Sequence, residues 1–240
     1  MNAARMKQVF LELYDKITNL AAPGYLDEEI NTFLNLGQLE FVKTRYNSKG
    51  NQYSEGLEAT EKRRKDLSEL YRDVTLSGGS NNNSDQTGVS PNAEFFDLPK
   101  EFLYTMREEA LLTSDDECID GTRILVKPVT HDEYSINLNN PFKKPNKSKI
   151  WRLDYSRDLT QGPTNEKKRH EIVTFTGTTI NEYYVRYIKI PTDINIIDNV
   201  DCELDASTHE EIISIAVRIA AGITDPGTYQ LKVQEQKATE

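Results

Sequence analysis

Residues 127–157, KPVTHDEYSINLNNPFKKPNKSKIWRLDYSR, decide how the β part of this sequence is interpreted. The stretch contains the single tryptophan, Trp151, and three of the nine prolines. Its two ends favour β-strands, and the prolines and lysines between them predict a long extended connection. Side chains alternate along a strand, so Trp151 and Leu153 lie on one face and Arg152 on the other. No part of the stretch is typical of a reaction centre.

The composition favours a polar, acidic protein. A chain of 240 residues can form one large domain or two small ones. The mean hydropathy of -0.65 predicts that a good share of the chain is solvated loop. The net charge of -10 and the pI near 5.0 disfavour a protein whose main role is to grip phosphate backbones. The two cysteines lack CxxC spacing, which indicates reduced thiols rather than zinc ligands.

The first part of the chain has the periodicity of helices. Apolar residues at steps of three and four predict a helix over residues 3–20. A second helix opens with the acidic turn 27–29, and Gly37 lies on its apolar face, where a partner helix could approach closely. The charged segment 57–73, with apolar residues on one side, predicts a third helix.

The strongest local signal is a C-terminal helix. Ser207 and Glu210 have the spacing of a capping box, which predicts a helix from Ser207 to Ile223. Its predicted buried stripe consists of Ile212, Ile215, Ala216, Ile219 and Ile223.

The middle of the chain changes to a period of two. The Gly-, Ser- and Asn-rich segment 77–90 cannot bury enough apolar surface to order itself, and it predicts a flexible loop. A hairpin that turns at Gly177 is expected near the end of this part. The predicted strands are 102–112, 123–129, 171–175 and 182–190.

These patterns together predict an α+β fold. A helical hairpin and a third helix are followed by an antiparallel β region, and the capped C-terminal helix packs back on the helical part. The helical part spans residues 1–76 and is completed by the C-terminal helix and tail, 203–240. Residues 77–90 form the flexible loop, and residues 91–202 form the mainly antiparallel β part.

The sequence predicts no catalytic, cofactor-binding or metal-binding residue. His131 is followed by Asp132 and Glu133, yet a triad or a metal site would need further partners from elsewhere in the fold. His170 follows the charged run EKKR and is predicted to be exposed. The acidic segment 115–120 misses the EF-hand template and is interpreted as a solvated turn. A metal-dependent enzyme built on His131 remains an alternative.

Charges of opposite sign are clustered in different parts of the chain. The segment 142–149, FKKPNKSK, is rich in lysine, whereas residues 27–29, 115–120 and 201–211 are rich in acids. A head-to-tail ring needs complementary patches of this kind, because each subunit presents one patch to each neighbour. The simpler alternative is that loops are charged.

Four segments resemble the ring proteins of crAss-like bacteriophages. They are 128–156, PVTHDEYSINLNNPFKKPNKSKIWRLDYS, followed by 183–194, YYVRYIKIPTDI, and 202–220, CELDASTHEEIISIAVRIA, with 92–104, NAEFFDLPKEFLY, entering the sheet. The resemblance extends over about residues 3–235. The motifs are specific to this family but carry no chemical signature.

The resemblance implies a structural virion protein without catalytic residues, cofactor or membrane contact. In this family, rings stack beneath the portal protein and build the tail barrel, and the implied position is the first ring, next to the portal. The implied partners are further copies of the chain, twelve in all, together with the portal protein and the other tail ring proteins. Genomic DNA would pass through the lumen at ejection, and the ring would be assembled in the host cytoplasm.

A segment that contacts a neighbouring subunit needs an extended chain, charged side chains and a buried anchor. The Lys-rich connection provides the first two. Trp151 is the expected anchor. The expected intersubunit contact residues are Phe142, Lys143, Lys144, Lys147, Lys149 and Trp151. A monomeric binding module or a chaperone is the alternative from another functional class.

Overall fold

The structure is a computed structural model that describes residues 1–17, 24–47, 61–80, 82–83, 86–155 and 168–224. The chain forms two compact units. The first combines Met1–Leu70 with Ile190–Glu240, and the second is Tyr71–Lys189. The predicted tail after the C-terminal helix lies outside the described residues.

In chain order, the helices are α1 (Ala3–Ile17), α2 (Asp27–Tyr46), α3 (Glu61–Asp66), α4 (His131–Asn137) and α5 (His209–Thr224), with 3-10 turns at Ser68–Leu70 and Ala206–Thr208. The strands are β1 (Tyr71–Ser77), β2 (Asn82–Asn83), β3 (Gln86–Thr87), β4 (Ala93–Asp97), β5 (Phe102–Ser114), β6 (Arg123–Pro128), β7 (Lys149–Tyr155), β8 (Arg169–Val173) and β9 (Thr178–Lys189). The predicted α+β class is confirmed.

Helices α1, α2 and α5 are the main elements of the first unit. Both α1 and α2 pack against α5, as predicted for the C-terminal helix. Gly37 lies where α2 and α5 approach most closely: a Cβ atom there would come within 2.9 Å of the Ile212 carbonyl oxygen. The predicted stripe residue Ile223 is exposed instead. The buried apolar residues of α5 are Ile212, Ile213, Ile215, Ala216, Val217, Ala220 and Ala221.

Two predicted helix boundaries are wrong. The third helix ends at Asp66 rather than Asp73, because β1 begins at Tyr71 and pairs with β9. Aromatic and β-branched residues such as Tyr71 and Val74 favour strands. Residues 57–60 of the predicted helix lie outside the described residues. The capping residue before α5 is Asp205 rather than Ser207, and it caps the 3-10 turn Ala206–Thr208 that precedes the helix. The Asp205 carboxylate accepts the Ser207 N–H at 2.9 Å and starts a 3-10 turn that leads into the helix.

Side-chain amides along α2 form a row of hydrogen bonds to the backbone of the segment that follows β9. Asn31 accepts the Ile196 N–H at 3.0 Å, and Asn35 accepts the Ile194 N–H at 2.7 Å and donates to the Ile194 carbonyl at 3.1 Å. Gln38 donates to the Thr192 carbonyl at 3.0 Å. Helix positions one turn apart therefore match alternate residues of an extended chain.

The second unit is a curled seven-stranded sheet in the order β1-β9-β5-β6-β7-β8-β4. Ser80, just after β1 at one edge, bridges Phe95 of β4 at the other edge, so the curled sheet encloses its own core. Large members of this core include Phe96, Phe102, Leu112, Ile150, Ile172, Tyr183 and Tyr187. The predicted loop 77–90 contains the short hairpin of β2 and β3, in which Asn82 pairs with Thr87.

One expectation about strand pairing is wrong, and one strand pair departs from the mainly antiparallel pattern. Strands β8 and β9 turn at Gly177, where φ is +81°, but they do not pair with each other: β8 lies between β7 and β4, and β9 lies between β1 and β5. Strands β6 and β7 pair in parallel, whereas the other paired strands described are antiparallel. Parallel neighbours need a crossover, and the connection between them provides it.

The crossover contains a helix where an extended connection was predicted. Helix α4 begins after Thr130, whose Oγ1 accepts the Glu133 N–H at 3.3 Å. The Thr-x-x-Glu spacing is a capping signal that the sequence already carried. Residues 127–155 are therefore a β-α-β unit that ends one strand, crosses over the sheet and forms the next, while residues 156 and 157 of the stretch lie outside the described residues.

Candidate subunit interface

The connection between α4 and β7 presents a phenylalanine to solvent. Asn140 shapes residues 140–144, the Phe142 turn: its Oδ1 accepts the Phe142 N–H at 3.0 Å, and its carbonyl accepts the Lys143 and Lys144 N–H groups at 3.1 and 3.0 Å. The Phe142 side chain is consequently 87% exposed. Aromatic side chains are enriched in the centres of protein interfaces.

The predicted contact lysines differ in their surroundings. Lys147 Nζ lies 3.1 Å from the Asp116 carboxylate in the same unit. Lys143 and Lys144 are exposed, and no carboxylate of the described residues pairs with either. Lys149 is half-buried at the start of β7. The Phe142 turn therefore carries one exposed aromatic ring followed directly by two unpaired ammonium groups.

Hydrogen bonds order the acidic turn that holds Lys147. Asp116 Oδ1 accepts the Cys118 N–H at 3.0 Å, and Asp120 Oδ1 accepts the Ser114 N–H at 3.2 Å. Two hydrogen bonds lower the pKa of Asp116: the larger effect comes from the Cys118 N–H group and the next from the Lys147 ammonium group. Both carboxylates are therefore engaged in hydrogen bonds within the turn.

Trp151 lies beneath the crossover. It is 2% exposed and meets Tyr134 of α4 edge to face, with ring centroids 5.7 Å apart. Trp151 therefore anchors α4, and with it the start of the Phe142 turn, to the sheet. This cluster consists of Ala93, Val129, Tyr134, Trp151, Leu153 and Val173.

A buried polar cluster that sequence reasoning missed lies inside the curled sheet. Arg152 Nη1 is 2.9 Å from Glu108 Oε1, and Tyr183 donates its hydroxyl hydrogen to the same oxygen. His170, predicted to be exposed, is only 2% exposed and completes the cluster. The prediction failed because the charged run before His170 ends at Arg169, where β8 enters the sheet between two other strands.

The hydrogen bonds of the cluster define the protonation of His170. Because the Tyr183 hydroxyl hydrogen goes to Glu108, its oxygen accepts Nδ1–H of His170 at 2.8 Å. Nε2 of His170 then faces Arg152 Nη1 at 3.4 Å as an acceptor. Burial, and then the Arg152 charge, lower the pKa of His170 to about 3. Burial raises the pKa of Glu108, and the Arg152 charge opposes this shift.

We expect His170 to make the second unit less stable in mild acid. The pKa of His170 is lower in the folded protein than in the unfolded chain, so the unfolded chain takes up the proton first as the pH falls. The contribution of neutral His170 to stability is therefore complete above about pH 6.5 and is lost as the pH falls toward about 3. Between about pH 7.5 and about pH 5.5, the unfolding free energy should fall by roughly 1 to 2 kcal/mol more in the native protein than in His170→Asn. Urea unfolding followed by Trp151 fluorescence measures this difference. Glu108 is present in both proteins, so equal pH dependence would contradict the assignment.

His131 lies at the start of α4 rather than in a loop. It lines a surface depression of about 270 Å³ together with Glu133, and its Nε2 lies 3.3 Å from the Asp154 carbonyl oxygen. Within the described ranges, no group of three or more His, Cys, Asp or Glu side chains is arranged to hold a metal ion. Nor does any helix of the described chain have the length and apolarity needed to cross a membrane.

The sequence matches the family described as phage tail ring protein 3/4 over residues 1–229. The chain therefore belongs to this family of tail ring proteins of crAss-like phages.

Two curated relatives come from Bacteroides phage crAss001. Ring protein 4/5 is 30% identical over 235 residues, which cover 92% of this chain and 92% of the relative. Ring protein 3 is 29% identical over 209 residues, which cover 81% of this chain and 84% of the relative.

Family membership confirms the predicted resemblance and agrees with a structural rather than an enzymatic protein. The chain is thus a structural protein of the phage tail. The predicted first position in the stack gains no support, since the family carries the number 3/4 and the two relatives carry the numbers 4/5 and 3.

Proposed function

We propose that many copies of this chain, twelve by the family resemblance, form a closed ring in the phage tail barrel. The observation that carries the proposal is the Phe142 turn, which leaves an aromatic ring and two ammonium groups without partners in the described chain. The remaining predicted contacts, Lys147 and Lys149, follow this turn in the chain, and Trp151 anchors the helix that precedes it. A ring of identical subunits uses such a patch against a different patch on the next copy.

The ring would join head to tail and pass genomic DNA at ejection. The net charge of -10 suits a conduit along which DNA slides without adhering. Its partners would be the neighbouring tail rings and the portal protein, and assembly would take place in the host cytoplasm. Cryo-EM of the purified virion tests this function: we expect the chain in a closed ring of the tail, and its absence from the virion would refute the proposal.

We expect the double substitution Lys143→Glu/Lys144→Glu to raise the protein concentration needed for ring assembly about tenfold, because charge reversal replaces attraction by repulsion at the interface. Lys147 is left unchanged because it pairs with Asp116. Light scattering and negative-stain imaging measure assembly.

The matched control is Lys100→Glu/Lys127→Glu, which makes the same change in net charge at two exposed lysines of the same unit. It should assemble like the native protein. If both double variants assemble equally well, the Phe142 turn has no part in the interface.

A further inference from the structure

The first unit contains an apolar groove that neither the sequence patterns nor the family match singled out. It has a volume of about 320 Å³ and lies between α2 and the segment after β9. Leu36 is 47% exposed and Ile190 is 39% exposed, although both are large apolar side chains. The lining residues are Thr32, Asn35, Leu36, Gln38, Leu39, Ile190, Pro191 and Asp193.

The side-chain amides of α2 in the groove are already hydrogen-bonded to the segment after β9. Asn35 and Gln38 use their side-chain amides on the backbone of Ile194 and Thr192, so these polar groups are already satisfied. Apolar side chains and one carboxylate remain to meet a ligand. That carboxylate belongs to Asp193, which is exposed and has no ion-pair partner among the described residues.

The groove and the Phe142 turn are complementary in chemistry. One offers an apolar recess with an unpaired carboxylate on its rim, and the other offers an exposed phenyl ring followed by two unpaired ammonium groups. Interface energy is concentrated where an aromatic anchor fills a desolvated pocket, and pairing of charges around it fixes the orientation.

We propose that the groove receives Phe142 of a second copy of this chain, with Lys143 and Lys144 beside Asp193. This inference rests on the proposed ring function and names the receiving surface. The two surfaces are different, so the contact is heterologous: each copy gives its Phe142 turn to one neighbour and its groove to the other, as the proposed ring requires.

Cysteine cross-linking tests the contact directly. Lys144→Cys and Thr32→Cys, which keep the Phe142 ring and the apolar lining of the groove, are made separately in a Cys118→Ser background, which removes the exposed thiol. Cys202 can stay, because it is buried and burial raises its pKa to about 11. A mixture of the two variants, treated with a short thiol-reactive cross-linker, should give a covalent dimer. A chain that carries both cysteines should give a ladder of oligomers.

The matched control pairs Lys144→Cys with Ile197→Cys, an exposed position of the same unit as the groove but outside it. It should cross-link at least about tenfold less, since thiol bridging requires close approach. No dimer under conditions in which the native protein forms rings, or a link confined to one chain, would overturn the groove contact. Failure of the native protein to form rings, both alone and in the virion, would instead refute the proposed function.

A charge exchange gives an independent result. Asp193→Lys alone should raise the concentration needed for assembly about tenfold, and combining it with Lys143→Glu/Lys144→Glu should recover at least about threefold of the combined loss. Additive losses in rings that still form would show that Asp193 faces a different surface, and the proposal would then be wrong.

Discussion

Glu108→Ala is expected to reduce the unfolding free energy of the second unit by about 3 to 5 kcal/mol, because it removes the buried countercharge of a buried guanidinium group. Among the described residues, the exposed Asp154 carboxylate, 3.5 Å from Arg152 Nε, is the countercharge that remains. Arg152 is 8% exposed, and its Nη1 lies 2.9 Å from the Glu108 carboxylate. The substitution also removes the acceptor for the Tyr183 hydroxyl group. A loss of this size is a large share of the stability of a typical domain.

Trp151 fluorescence during urea unfolding measures the effect, since the single tryptophan lies in the same unit. The matched control is Glu109→Ala, one residue further along β5, where the carboxylate pairs with the exposed Arg107. Its cost should be about 1 kcal/mol or less. If Glu108→Ala does not fold, Glu108→Gln keeps the shape and an acceptor and should show an intermediate loss. Equal losses of unfolding free energy for Glu108→Ala and Glu109→Ala would show that the buried cluster stabilises the unit no more than an exposed ion pair does.

Gly37→Val is expected to destabilise the first unit by roughly 2 to 3 kcal/mol through overpacking against α5. A Cβ atom at this position meets the Ile212 carbonyl oxygen at 2.9 Å and the Ala216 backbone nitrogen at 3.0 Å, and neither atom can move aside without shifting α5. Gly37→Ala meets the same backbone but gains about 1 kcal/mol of helix propensity, so its net effect should be small.

Far-UV circular dichroism follows this unfolding, because four of the five helices described lie in the first unit. Leu36→Val is the control, since it places the same β-branched side chain on the exposed side of α2 and should cost about 0.5 kcal/mol or less. A Gly37→Val protein as stable as this control would show that α2 and α5 do not depend on the close approach.

The helical elements were the most predictable part of the fold. The apolar periodicity of α1, α2 and α5 and the role of Gly37 follow from spacings within a few helical turns. The capping residue of α5 and the end of α3 were wrong by a few residues. At such boundaries a short polar side chain or a neighbouring strand decides between nearly equal local conformations.

The candidate interface was predictable only in part. The lysines and Phe142 stand out in the sequence, but their exposure depends on a turn that Asn140 builds after α4. The groove has no sequence signature, because Leu36 and Ile190 are ordinary apolar residues far apart in the chain. The structure alone shows that both remain exposed in the same recess.

The sequence by itself determined the α+β class, the amphipathic helices, the alternation in β7 that separates Trp151 from Arg152, and the family. Each of these is encoded by neighbouring residues or by the order of motifs. Tertiary structure alone decided that β6 and β7 run parallel, that β8 and β9 separate, and that His170 is buried. These outcomes depend on which strands bury one another's faces when the whole sheet curls, and residues close together in the chain carry no record of that choice.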